Sequence, residues 1–179
     1  EASLHREMLC DALASGLFPP GSAEARGILR YLELHGSRLL GLVRAGAYAL
    51  YGDHEFPVGG TDQVYGINLA RFMADNGESE QLVLALYGML AAAMTPGTFV
   101  AGEAASVTPL PGAGERAMYL PPNGAAGAAF LETLRLMLVQ EPRDADGRPR
   151  GLRLAEATPR SWLRPGRRIA VGNAPTSFG

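Results

Sequence analysis

Apolar residues recur along most of this chain every three or four positions, the spacing that gathers them on one face of a helix. The pattern predicts a helix over 1–17, a second from Ser22 to about His35, and a third that begins at Thr61 or Asp62 and stops at Asn76. A fourth helix follows from Glu78 to Met94, and a fifth spans 125–140. The segment 39–50 is also apolar, and its glycines leave open a closely packed helix or an irregular segment, of which we favour the helix.

The ends of these helices are marked by residues that cap or break a helix. Thr95-Pro96-Gly97 ends the fourth helix, since proline cannot continue the hydrogen-bonded ladder and glycine accepts the reversed backbone. Asn123 is a predicted N-cap for the fifth, which Pro142 ends. Beyond it, residues 152–155 and 168–171 have the pattern of short strands.

Helices in sequence, joined by loops that are richer in acids and glycines, predict a mainly α fold of antiparallel helical hairpins whose loops gather at one end. We expect two domains. A helical hairpin domain would cover residues 1–142. Residues 143–179 would be the start of a C-terminal β-rich segment.

Composition narrows the class of protein without naming a function. The chain has 179 residues and a formal charge of −2, which gives no general attraction to nucleic acid or to an anionic membrane. No apolar run approaches the roughly 20 residues that span a bilayer. Cys10 is the single cysteine and is expected to be a small core residue. We therefore predict no cofactor, no nucleic-acid partner and no membrane span.

Glu103 is the strongest candidate for chemistry. It lies in Gly102-Glu103-Ala104-Ala105, where little side-chain bulk surrounds one carboxylate, so that a large ligand could approach the free acid. The alternative is an ordinary solvated loop acid, since such groups collect in loops.

A second candidate stretch runs from Tyr51 to Asp62 and contains Asp53, His54, Glu55 and Asp62 beside aromatic residues and glycines. Aromatic faces next to carboxylates suit sugar rings, which stack through their CH faces and hydrogen-bond through their hydroxyls. A metal site would need further ligands that the sequence does not supply, so we predict none. For Asp62 the alternative is a simple helix cap.

The run Gly97 to Glu103, followed by Tyr119-Leu120-Pro121-Pro122-Asn123 and a helix containing Phe130, resembles the last third of the (α/α) six-hairpin toroid glycosidases. It is most similar to the α-L-rhamnosidase-type branch. The passage from Leu154 to Gly179 resembles the transition from that toroid into a C-terminal β-sandwich. The resemblance implies part of an (α/α) toroid and hydrolysis of a glycosidic bond with inversion.

The resemblance also implies roles for particular residues. Glu103 would be the general base that activates water, and the general acid would come from an earlier hairpin upstream of this chain. Tyr119, Asn123, Asp53, His54, Glu55 and Asp62 are assigned to substrate binding. The chain departs from the family at Ala104, where a tryptophan is usual, and at Gly124, where a histidine is common.

Three functions follow as hypotheses. The first is the C-terminal part of a glycoside hydrolase, inactive on its own, because both chain ends resemble cuts. The second is a non-catalytic helical scaffold or partner-binding module, and the third is a lyase or phosphorylase acting on carbohydrate. The expected partners are a carbohydrate substrate and either the remainder of a parent polypeptide or another copy, which would cover exposed helix faces.

Overall fold

The computed structural model describes residues 9–19, 21–35, 38–45, 59–144 and 146–179. They form a mixed α/β structure in which helices pack against a five-stranded antiparallel sheet, with a second sheet of two strands. The prediction of a mainly α fold built from helical hairpins of a toroid is therefore wrong.

The helices largely follow the predicted apolar stripes. α1 comprises residues 9–14, α2 is Ala23–Leu34, α3 is Gly66–Asp75, α4 is Ser79–Gly88 and α5 is Gly124–Leu138. A π-helical turn, Met89–Ala93, extends α4 before Met94 becomes extended. The Oγ of Ser22 accepts the N–H of Ala25, and the Oδ1 of Asn123 accepts the N–H of Ala126, so both predicted N-caps are confirmed.

The larger sheet is a meander in which every strand pairs with its sequence neighbour. Its strands are β1 (Arg38–Leu39), β2 (Leu42–Ala45), β3 (Gly60–Asp62), β4 (Ala104–Ser106) and β5 (Met118–Tyr119). Because the 41 residues 63–103 separate β3 from β4, α3 and α4 are inserted between two adjacent strands of the sheet.

The segment beginning at Leu39 was predicted as helix but forms the β1–β2 hairpin up to Ala45, and residues 46–50 lie outside the described residues. Leu40 and Gly41 have φ of 53° and 78°, as a two-residue turn with the twist of a hairpin requires. The turn packs directly on α4, since a Cβ at Gly41 would lie 2.7 Å from the backbone nitrogen of Ala85, and one at Gly88 would overlap the carbonyl of Leu40. Close backbone packing therefore explains both glycines.

The main core lies between the helices and the sheet. α3, α4 and α5 pack on one another, α3 contacts β2, and the π-helical turn contacts β3 and β4. The largest fully buried apolar side chains are Leu32, Leu42, Leu69, Met73, Leu82, Leu86, Met89 and Met137. Cys10 is buried in the same core, as predicted. A bidentate ion pair from Arg71 to Glu132, at 2.7 and 2.9 Å, joins the outer sides of α3 and α5.

The C-terminal part is only lightly structured. β6 (Val139–Gln140) pairs with β7 (Arg153–Leu154), which confirms the strand predicted at 152–155, and a 3₁₀ turn follows at Arg160–Leu163. The strand predicted at residues 168–171 is not formed, since these residues belong to no helix or strand. No helix in the described parts of the chain is long and apolar enough to cross a membrane.

Candidate functional site

The structure brings Asp62, Glu103, Tyr119 and Asn123 together at one end of the large sheet. Ala104 is the register partner of both Asp62 on β3 and Tyr119 on β5. Register partners share a sheet face, so Asp62, Ala104 and Tyr119 form a row about 10 Å across, from two strand spacings. Ala104 contributes only a methyl group to the middle of that row, and Glu103 is next to it in the chain.

Glu103 lies at a local irregularity of the sheet. Its N–H donates to the carbonyl of Tyr119 at 2.8 Å, although Tyr119 is the register partner of Ala104. Two residues on one strand therefore oppose one on the other, which is the arrangement of a β-bulge. Bulges bend the strand and redirect a side chain, and they are common beside functional sites.

The backbone on the amino-terminal side of Glu103 is tightly enclosed. A Cβ at Gly102 would lie 2.9 Å from the carbonyl oxygens of both Ala104 and Tyr119. The side-chain amide of Gln63, which is fully buried, donates to the carbonyl of Gly102. Backbone atoms cannot move aside as the end of a flexible side chain can, so only glycine fits this position.

The carboxylate of Glu103 contrasts with this enclosed backbone. The residue is partly buried, and the described part of the chain offers its carboxylate no hydrogen-bond or ion-pair partner. Both oxygens therefore retain their acceptor capacity for a ligand or water molecule.

Asp62 is in a different state from Glu103. It is only 7% exposed, and its Oδ1 accepts the N–H of Tyr65 at 3.1 Å, in the turn that leads into α3. The sequence offered a helix N-cap at Asp62 as the alternative to ligand binding, but Asp62 belongs to β3, α3 begins four residues later at Gly66, and no side chain among the described residues caps that helix. Asp62 thus shapes the wall of the site more than it presents a free acid.

Tyr119 and Asn123 approach Glu103 from the segment before α5. The side chain of Tyr119 is 48% exposed, so an aromatic surface is available to a ligand. The Oδ1 of Asn123 is occupied as the cap of α5, and its N–H donates to the carbonyl of Ala101 at 2.8 Å. The start of α5 therefore contacts Ala101, which precedes Glu103 by two residues in the chain.

The remaining predicted binding residues, Asp53, His54 and Glu55, lie outside the described residues. Among the residues that are described, no three or more His, Cys, Asp or Glu side chains are grouped so that they could hold a metal ion.

A shallow cavity of about 170 Å³ lies beside the row, on the opposite face of the same strands. It is lined by Ala92, Thr95, Pro96, Ala105, Ser106, Arg116, Ala117 and Met118. Its polar groups already serve the fold, because Arg116 donates to the carbonyls of Ala91 and Ala92, and the Oγ of Ser106 accepts the N–H of Ala117. Ligand pockets usually measure about 300 Å³ or more, so this cavity is small for a saccharide.

Sequence reasoning did not identify Gln63 as part of this site. The sequence does contain a polar run, Thr61-Asp62-Gln63, before an apolar helix, but such a run also has the pattern of a helix start. In the structure Thr61 and Gln63 are fully buried, a rare state for polar side chains without a specific role.

Comparison with protein-family models, curated proteins and solved structures found no match to this chain.

Proposed function

We propose that the sheet end around Glu103 is a saccharide site at which a glycosidic bond is hydrolysed, with Glu103 as the general base. The observation that carries this proposal is the partly buried carboxylate of Glu103, which has no partner among the described residues and projects from a tightly held backbone. Both oxygens of that carboxylate remain available as acceptors for a sugar hydroxyl or a water molecule.

The surroundings of Glu103 suit a sugar ring. Tyr119 offers an exposed aromatic face in the next strand, against which the CH groups of a pyranose could stack. On the same face of the sheet, Ala104 and Asp62 are buried beside Tyr119, so a sugar ring would lie against the exposed ring of Tyr119. Three segments that are separate in the chain contribute to this arrangement, around Asp62, Glu103 and Tyr119, as is typical of sites built on a rigid scaffold.

The proposed reaction divides the work between two carboxyl groups. Glu103 takes a proton from water, the water oxygen bonds to the anomeric carbon, and the glycosidic oxygen leaves with a proton from a second carboxyl group. Because the toroid is not the observed architecture, inversion follows here from the role of Glu103 as a base. Asp62 is engaged by the N–H of Tyr65, so we assign the acid role to Asp53, Glu55 or a carboxylate outside this chain.

The test is hydrolysis of a panel of 4-nitrophenyl glycosides that includes 4-nitrophenyl α-L-rhamnopyranoside. Glu103→Gln should lower turnover about 10³-fold or more, since it removes a positioned base, while the thermal midpoint stays nearly constant. Glu115→Gln is the matched control, because Glu115 is an exposed acid in the neighbouring β4–β5 connection and should leave turnover unchanged. Unaltered turnover in Glu103→Gln would remove that residue from the mechanism, and proton NMR of the first product should show the inverted anomer.

A partner-binding module is the second candidate, and exposed apolar side chains on α4 favour it. Leu84 and Tyr87 are one helical turn apart and are 45% and 44% exposed. If this face binds another copy of the chain, sedimentation velocity should show association that Leu84→Glu abolishes and Glu103→Gln leaves unchanged. A monomer at all concentrations would remove this candidate.

A further inference from the structure

The side-chain amide of Gln63 contacts the peptide group that precedes the Glu103 side chain. Gln63 follows β3, is fully buried, and donates through Nε2 to the carbonyl oxygen of Gly102. A carbonyl oxygen only accepts hydrogen bonds, so this contact fixes which end of the amide is the nitrogen. The orientation of Gln63 is thereby settled by Gly102.

In this orientation the oxygen end of the Gln63 amide is unfavourably placed. Its Oε1 is buried without a hydrogen-bond partner among the residues that the structure describes, and the Oγ1 of Thr61, two residues earlier, is in the same state. Burying an acceptor that remains unpaired opposes folding. An apolar side chain of similar volume, such as methionine, would fill the position without that cost. What the amide adds at this position is the bond to Gly102.

The peptide group held by Gln63 is the one that links Gly102 to Glu103. Its oxygen accepts the Gln63 amide, and its N–H, which belongs to Glu103, donates to Tyr119 at 2.8 Å. A peptide unit is planar, so fixing both its oxygen and its N–H fixes the plane. The fixed plane sets the position of the N–Cα bond of Glu103, so the side chain starts from a defined point and varies only through φ and its own staggered rotamers.

We propose that Gln63 is a positioning residue for Glu103, which it orients by holding the Gly102–Glu103 peptide from the side opposite Tyr119. Calling the oriented group a catalytic base rests on the proposed function, whereas the orientation itself does not. Gln63→Met should therefore loosen one peptide group and reduce turnover with little change in substrate affinity.

The experiment compares Gln63→Met with Thr133→Val in the full 179-residue chain. Thr133 is equally buried, and its hydroxyl donates to Ala129 within α5, so its replacement removes a buried polar contact that does not involve the Glu103 peptide. Amide hydrogen exchange is followed by NMR at the N–H of Glu103, and hydrolysis of the 4-nitrophenyl glycosides is followed in parallel. Gln63→Asn, whose shorter amide falls short of Gly102, replaces Gln63→Met if the latter does not fold.

The expected result is at least a tenfold faster exchange at Glu103 in the Gln63 variant, beyond any change at core amides, with kcat reduced at least tenfold and KM nearly constant. Thr133→Val should change exchange evenly and leave kcat intact. Equal exchange at Glu103 in the two variants would overturn the positioning role. If neither the 179-residue chain nor a longer polypeptide that contains it cleaves any of the glycosides, the proposed function fails, and the exchange measurement still decides the role of Gln63.

Discussion

Two glutamates show opposite arrangements of backbone and side chain. At Glu103 the backbone is held by Tyr119, Gly102 and Gln63, while the carboxylate has no partner among the described residues. At Glu141, just after β6, the carboxylate is saturated. Its Oε1 accepts Arg135 at 3.0 Å, and its Oε2 accepts the Ser177 hydroxyl at 2.7 Å and the Ser177 N–H at 3.2 Å.

The difference separates a functional candidate from a structural clamp. Residues 164–179 contain no paired strand, and Arg135 and Glu141 hold this C-terminal segment through Pro175 and Ser177. The carboxylate oxygens of Glu141 are therefore used to hold a segment that has little structure of its own. At Glu103 the neighbouring residues hold the backbone, and the carboxylate oxygens remain available to a ligand.

The largest effect is expected from disturbing the backbone beneath Glu103. Gly102→Ala would place a Cβ 2.9 Å from two carbonyl oxygens and should lower the free energy of unfolding by about 1–3 kcal/mol. Gly127→Ala is the matched control, since a Cβ there meets nothing within 4 Å in α5 and alanine favours helix by about 1 kcal/mol. Urea unfolding should give opposite signs for the two substitutions. Equal effects would mean that the backbone at Gly102 is not tightly held.

The sequence predicted local features better than it predicted pairing. The caps at Ser22 and Asn123 follow from side chains that bond two or three residues away, and the small residues around Glu103 were visible directly. The sheet was missed because its strands are two to four residues long, too short to show alternation, and because Leu40-Gly41 is not a common hairpin sequence. The row of Asp62, Ala104 and Tyr119 depends on pairing across about 40 residues, which no local pattern contains.

The next largest effect is expected at Glu141, whose carboxylate holds the C-terminal segment. Glu141→Gln should release residues 175–179, because the neutral amide binds Arg135 and Ser177 less strongly than a carboxylate does. Backbone NMR relaxation should report faster motion in this segment, while the thermal midpoint changes little, since surface ion pairs contribute little to stability. Glu103→Gln should leave the segment unchanged. If both substitutions mobilise it equally, the two glutamates do not differ as described.

Protonation of Glu141 at low pH should release the C-terminal segment as the substitution of Glu141 does. Hydrogen bonds from Ser177 and then from Arg135 hold the pKa of Glu141 below the ordinary glutamate value of about 4.3. The folded state therefore binds this proton less readily than the unfolded state, so the contribution is complete above the ordinary pKa and is lost as pH falls through the lowered one. The segment should stay ordered at pH 6 and become mobile only as the pH falls through the lowered pKa of Glu141. Glu141→Gln should remove this pH dependence.

The smallest effect tests whether an isolated, poorly solvated carboxylate is by itself a sign of function. Burial raises the pKa of Asp75, an effect that the charge of Arg143 partly offsets, and Asp75 ends α3, where the helix dipole also disfavours negative charge. The raised pKa means that the ionised side chain opposes folding above the folded pKa and has no such effect below the ordinary aspartate value of about 3.9.

Asp75→Asn should therefore stabilise the protein at pH 7, by only a few tenths of a kcal/mol because the residue is exposed and solvent screens its charge. Urea unfolding should show no gain at pH 3, where the aspartate is already neutral. A gain of equal size at both pH values would point to packing instead of charge. Glycoside hydrolysis should be unaffected, because Asp75 lies at the end of α3 and is not part of the candidate site. The raised pKa of a carboxylate would then not be enough to mark it as functional.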